Sequence, residues 1–102
     1  MITSKKTTII AELKILPGFE NELRTAAKTV WEATRKESGC EAFIFNSKQN
    51  DENTIVFLEI FTSEEDFEIH KTETHTIAFL ETIKGKVLND GPELTFLTQY
   101  ID

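Results

Sequence analysis

Residues Thr54 to Thr62 read Thr-Ile-Val-Phe-Leu-Glu-Ile-Phe-Thr, a run that is apolar on both of its faces. Alternate residues of a strand point to opposite sides, so Ile55, Phe57, Glu59 and Phe61 share one face and Val56, Leu58 and Ile60 the other. A strand of this kind must be dry on both sides, so it belongs inside a sheet that is covered above and below. Helices of the same chain supply one cover. The other is expected from a second copy of the sheet, which predicts a homodimer packed sheet on sheet.

The neighbouring segments supply the rest of that sheet. Thr8 to Leu16 alternates Ile9, Ala11, Leu13, Ile15 against Ile10, Glu12, Lys14, Leu16, a strand stopped by Pro17-Gly18. From Phe19 the period becomes helical, with Phe19, Leu23, Ala26, Ala27, Val30, Trp31 and Thr34 on one face. Ser38-Gly39 is expected to end this helix, with Arg35 and Lys36 in its last turn. Glu41 to Ser47 forms the second strand, and Gln49 to Asn53 is a polar hairpin loop before the third.

Ser63-Glu64-Glu65-Asp66 is a capping box that opens a second helical stretch. It runs to about Val87 with a break near Thr72 to Thr74. Asn89 to Pro92 is a turn, and Leu94 to Ile101 the last strand. The order β-α-β-β-α-β is the ferredoxin-like α+β pattern, in one domain covering residues 1–102.

The charge excludes some partners. Eighteen acidic against eleven basic residues give −7, which repels phosphate backbones and anionic lipid, so neither nucleic acid nor a membrane surface is expected. The polar N-terminus lacks the apolar segment of a signal peptide, and no run is long enough to span a bilayer. A single cysteine, Cys40, excludes an intrachain disulfide and suits a reducing compartment, so the expected location is cytoplasmic. With no basic group or histidine beside it in sequence, Cys40 is expected to be a buried, unreactive thiol.

Several short signatures occur in a particular order. They are Pro17-Gly18, Arg35 with Glu37-Ser38-Gly39-Cys40, Glu59-Ile60-Phe61, and His70-Lys71-Thr72-Glu73-Thr74-His75 followed by Phe79. Together with Ile83-Lys84-Gly85-Lys86-Val87-Leu88, this series resembles antibiotic biosynthesis monooxygenase (ABM) proteins, and its last segment resembles quinol-monooxygenase-like members. The resemblance runs from about Ile9 to Leu97. It implies a dimeric α+β barrel with one pocket per subunit between helices and sheet. Some relatives of this kind oxygenate quinols or phenols without metal or organic cofactor, others degrade heme, and others process small signalling molecules.

His70 and His75 are the only histidines and the expected catalytic residues. On an unbroken helix a spacing of five sets them about 140° apart. A zinc pair on a helix calls for i, i+4 as in H-E-x-x-H, so no metal site is expected. A break at Thr72 to Thr74 would let both rings reach one pocket. Asp66, four residues before His70, is a candidate ion-pair partner for its imidazolium. The alternative for both histidines is a structural role at a helix junction.

Phe57, Phe61, Phe79 and Trp31 are the expected aromatic walls, although Trp31 also suits plain core packing. Glu59, set among Phe57, Leu58, Ile60 and Phe61, either contacts substrate or needs a donor such as Arg35, because a buried carboxylate is costly alone. Phe61 stands where many ABM proteins carry tryptophan, so the aromatic wall is kept and the indole N–H is not. Ala11 and His70 occupy the positions at which heme-degrading relatives use asparagine and tryptophan, and Leu80 aligns near their axial histidine. Heme chemistry is therefore not expected, nor is any cofactor.

The functional expectation is a cofactor-independent monooxygenase acting with O₂ on a quinol or polycyclic phenol, a small aromatic or quinone-like substrate. Two alternatives stay open. One is an isomerase or processing enzyme for a small metabolite, suggested by the likeness of the His-Lys-Thr segment to autoinducer-processing members. The other is a ligand-binding dimer without catalysis.

Overall fold

The computed structural model describes residues 1–102. Strand β1 (Thr7–Lys14) leads to helix α1 (Glu20–Thr34) and then to the hairpin of β2 (Cys40–Lys48) and β3 (Asp51–Phe61). Helices α2 (Glu64–Thr72) and α3 (Thr74–Ile83) follow, and a short 3-10 turn at Leu88–Asp90 precedes β4 (Glu93–Leu97). The strands form one antiparallel sheet in the order β2-β3-β1-β4, the ferredoxin-like arrangement expected from the sequence.

The inner face of the sheet carries the core. Ala11 lies opposite Phe57 and Leu13 opposite Ile55, and these pack with Leu23, Ala27 and Val30 of α1 and Phe79 and Ile83 of α3 in one buried cluster. The outer face is apolar too. There Ile10 lies opposite Leu58, which lies opposite Ile44, and Ile44 is 46% exposed. The two-faced third strand is thus covered by helices on one side only.

The second helical stretch is two helices. Ser63 caps α2, its hydroxyl accepting the Asp66 backbone N–H at 3.1 Å. Glu73, with φ −65° and ψ 143°, is extended and interrupts the helix within the expected break. That one residue re-aims α3 relative to α2.

Four expected boundaries move. Helix α1 ends at Thr34, four residues before Ser38-Gly39, and no basic residue lies in its last turn. Backbone bonds Lys36 N–H to Ala33 and Glu37 N–H to Thr34 tighten the chain beyond it into a non-α turn. Helix α3 ends at Ile83, because Lys84 leaves the helical region (φ −57°, ψ 131°) and Gly85 (φ +73°) completes a tight turn closed by the Lys86 N–H to the Ile83 carbonyl at 3.0 Å. Val87 then makes an isolated bridge with Ile15. The hairpin loop contracts to Gln49–Asn50, since Lys48 already pairs with Asp51. Strand β4 stops at Leu97, opposite Thr8, where β1 is running out, and Tyr100 pairs instead with Thr3.

Candidate active site

Strand β3 aims Phe57, Glu59 and Phe61 at the helices, because residues two apart share a face. Between this face and the α2–α3 pair lies a cavity of about 120 Å³. Ala11, Phe43, Phe57, Glu59, His70 and Phe79 line it, with Val30, Phe67, Lys71, Thr76 and Leu80 also on the helix side. Phe57 and Phe79 meet edge to face at 6.1 Å, and Phe43 lies 4.8 Å from Phe57, so the walls are largely aromatic.

His70, from α2, is 6% exposed and brings an imidazole to the cavity wall. Its ring rests on Phe61 at 4.9 Å between centroids and is flanked by Phe43 at 5.9 Å. Nδ1 lies 2.8 Å from Oε2 of Glu37, and the Thr76 hydroxyl is 3.3 Å from the same nitrogen. His75, from the first turn of α3, reaches the same Glu37 oxygen with Nε2 at 2.6 Å. An ionised carboxylate only accepts, so each of these nitrogens donates an N–H. The tautomer of His70 is thereby set, and its Nε2 is left with no partner in the protein.

Glu37 comes from the tight turn after α1, held by its N–H to Thr34 and by its carbonyl to the Cys40 N–H. Its side chain is 9% exposed, and the two imidazoles supply the donors that make such burial tolerable. A two-histidine, one-carboxylate set with donor atoms within 4.8 Å of one another is also metal-binding chemistry. Here, however, each donor atom is spent on another at 2.6 or 2.8 Å, closer than two ligands of one ion would sit.

Glu59 is the second polar feature. It is 5% exposed, makes no hydrogen bond or ion pair within the protein, and lines the cavity. Burial, with the nearby charge of Glu37 adding to it, pushes its carboxyl up to about 8, so it is mainly neutral at pH 7. The side-chain polar atoms sealed without a partner are the hydroxyls of Thr8 and Thr34, so the Glu59 oxygens keep their residual exposure. Burial also raises Cys40, to about 11, with help from Glu37 and Glu59, so this half-buried thiol is not a thiolate nucleophile.

The structure gathers Ala11, Phe57, Glu59, Phe79 and His70 around one cavity and leaves three expected residues outside its wall. Phe61 is fully buried behind His70. Trp31 donates its indole N–H to the Phe43 carbonyl at 2.9 Å and packs edge-on against Phe45. His75 stands behind Glu37. Two expected pairings do not form: Asp66 turns to Ser63 rather than to His70, and Arg35 stacks 4.0 Å over Trp31 rather than reaching Glu59. Glu37 was not expected as a site residue. Its signal was an acidic side chain just past a helix C-terminus, where the dipole disfavours it and a cationic or N–H partner is called for.

Fold and cavity together define a ferredoxin-like domain with a small pocket lined by aromatic rings, an imidazole and a buried carboxyl. The model of the family described as antibiotic biosynthesis monooxygenase matches residues 7–82, and the chain belongs to that family. YjcS of Bacillus subtilis (strain 168), an uncharacterized protein, is 39% identical over 70 residues, covering 68% of this chain and 67% of that one. Among solved structures, PA3566 of Pseudomonas aeruginosa superposes with a TM-score of 0.88 at 19% identity, over 99% of this chain and all of the other. Rv0793 of Mycobacterium tuberculosis does so with 0.85 at 20%, over 95% and 97%. At such identities the structures speak for the fold alone. No helix of the chain is long and apolar enough to cross a membrane.

Proposed function

We propose that the protein is a cofactor-independent monooxygenase that oxidises a phenol or quinol with O₂, and that it works as a homodimer. The observation that carries this reading is His70: an imidazole in an aromatic cavity, its Nδ1–H committed to Glu37 and its Nε2 free. Such a nitrogen accepts the proton of a ring hydroxyl. The resulting phenolate is electron-rich enough to pass one electron to O₂, and the radical pair recombines at a ring carbon. For a quinol with a ring C–H, one oxygen atom ends on the ring and the other leaves as water, giving a hydroxyquinone. The quinol supplies every electron, so the balance needs no other reductant.

In this reading Glu37 is a positioning residue that holds the tautomer and stabilises the imidazolium, while His75 braces Glu37 from behind. An apolar cavity of about 150 Å³ admits benzene, so about 120 Å³ favours one inserted ring over a polycycle. That narrows the polycyclic expectation to single-ring phenols and quinols, or larger molecules that insert one ring.

The test is O₂ uptake by the purified protein with single-ring hydroquinones and phenols, compared with a folded His70→Ala variant. Uptake above the uncatalysed rate that falls about 100-fold or more in the variant supports the proposal. A second reading has its own observation: His70 and neutral Glu59 in one pocket also suit a proton-transfer isomerase. Turnover of a small carbonyl compound in the absence of O₂ would favour it.

A further inference from the structure

The cavity holds one buried polar group that nothing in the protein uses. Glu59 sits on the central strand β3, opposite Ile9 of β1 and Phe43 of β2, with apolar neighbours along the sheet on both sides. Its carboxyl has no donor from backbone, arginine or lysine. Buried polar groups are normally paired, and an unpaired one at a cavity wall marks where a ligand supplies the missing partner.

We infer that Glu59 is the specificity-determining residue of the pocket, admitting a neutral single-ring molecule that bears a carbonyl or phenolic oxygen and rejecting carboxylates and phosphates. The inference rests on the reading above in taking this cavity as the substrate site, but it needs no turnover.

The titratable groups near Glu59 are Glu37, Cys40, His70 and Lys71. Glu37 is an anion and opposes a second negative charge. Lys71 stands at the cavity rim, half exposed, shared with Glu68 at 2.7 Å and 5.2 Å over the Phe67 ring, so its charge lies toward solvent rather than inside the cavity. A ligand carboxylate would therefore lose its water inside aromatic walls and meet Glu37 and the Nε2 lone pair of His70, neither of which donates to it. A neutral carbonyl or hydroxyl oxygen instead accepts the Glu59 O–H at ordinary hydrogen-bond cost. The carboxyl keeps that proton while burial holds it near neutral, so the donor is present below about pH 8 and lost above it.

Acetophenone and benzoate test this, since they differ in little but a methyl group in place of a charged oxygen. Binding of each is followed by NMR titration to the wild type, Glu59→Gln and Glu59→Leu at pH 6.5 and 9.5, with fold checked by circular dichroism. The wild type is expected to bind acetophenone at least tenfold tighter than benzoate at pH 6.5, and about tenfold more weakly at pH 9.5 than at 6.5. Glu59→Gln, whose amide still donates, keeps acetophenone binding and loses the pH dependence. Glu59→Leu loses acetophenone affinity at both pH values. Equal binding of benzoate, a flat wild-type pH response, or no acetophenone binding at all overturns the inference. O₂ uptake with hydroquinone is measured on the same samples. Selective acetophenone binding without uptake keeps the inference and removes the monooxygenase.

Discussion

His70 and His75, five positions apart on two different helices, meet at a single atom, Oε2 of Glu37, at 2.8 and 2.6 Å. Replacing Glu37 with glutamine keeps the shape and removes the charge. With its amide oxygen where Oε2 stands, glutamine still accepts both N–H groups, but as a neutral acceptor. Exchanging the charged acceptor for a neutral one lowers a hydrogen bond from about 1.5–3 to about 0.5–1.5 kcal/mol, and at roughly 4–8 °C per kcal/mol for a domain of this size the melting temperature falls accordingly. Differential scanning fluorimetry measures this. In the O₂ assay the order of loss should be His70→Ala, then Glu37→Gln, then His75→Ala, because only His70 touches the ring. Equal loss in all three would demote His70 from proton acceptor to a member of a structural triad.

Much of this arrangement is legible in the sequence. The period-two runs and the period-3.6 run fix the strands, the first helix and their order, because those patterns report which faces are buried. The break near Thr72 to Thr74 was visible as a polar threonine-rich interval inside a helical stretch. Glu37 was legible only as an acidic side chain past a helix C-terminus in need of a donor, because which donors meet it depends on contacts across more than thirty residues that no local pattern encodes. The expected Asp66–His70 pair failed for a related reason: helical spacing permitted it, but Asp66 has a nearer hydrogen-bond partner in the Ser63 hydroxyl at 3.1 Å. Trp31 shows the same limit, since a helix-face pattern cannot tell a cavity wall from the core beside it.

Glu59 should impose a pH dependence on stability. Its folded carboxyl is raised to about 8 from a reference of 4.5, so between those values the folded state binds more protons than the unfolded. Stability is then complete below about 4.5, falls as pH rises, and stops falling on this account above about 8. Glu59→Gln removes the ionisation. Its melting temperature should gain on the wild type as pH rises from 5 to 9, by roughly 4–8 °C for each kcal/mol recovered. A constant difference between the two proteins across that range would show that Glu59 ionises freely in the fold.

At Gly39 the turn after α1 passes close against Asp66 of α2. A Cβ built there would lie 2.4 to 2.6 Å from three atoms of the Asp66 side chain, including its Cβ, which no rotamer change can move away. Asp66 is fixed in turn by the Ser63 cap. Gly39→Ala should therefore cost about 1–3 kcal/mol as overpacking and disturb the approach of the Glu37 turn to α2. Thermal denaturation gives the first effect. The His70 and His75 ring resonances give the second, since both rings are held by that turn. An alanine variant as stable as the wild type, with unchanged histidine spectra, would mean that α2 can shift at no cost.

The outer face of the sheet tests the dimer. Leu58 is central to it, with Ile10 across the β1 pairing and Ile44 across the β2 pairing, and no helix of the chain packs there. A second sheet seated on this face would dry the other side of β3, which the sequence run from Ile55 to Phe61 demands. Analytical ultracentrifugation should then give twice the 11.7 kDa chain mass for the wild type. Leu58→Lys places a charge at the middle of that contact and should give the single-chain mass. Its circular dichroism should persist, because Leu58 is not part of the buried core cluster. If Leu58→Lys stays dimeric, the contact lies elsewhere, and the exposed Phe96, Leu97 and Tyr100 are the next apolar surface to charge. If the wild type is itself monomeric, sheet-on-sheet pairing is wrong, and a strand apolar on both faces stands half uncovered in solution.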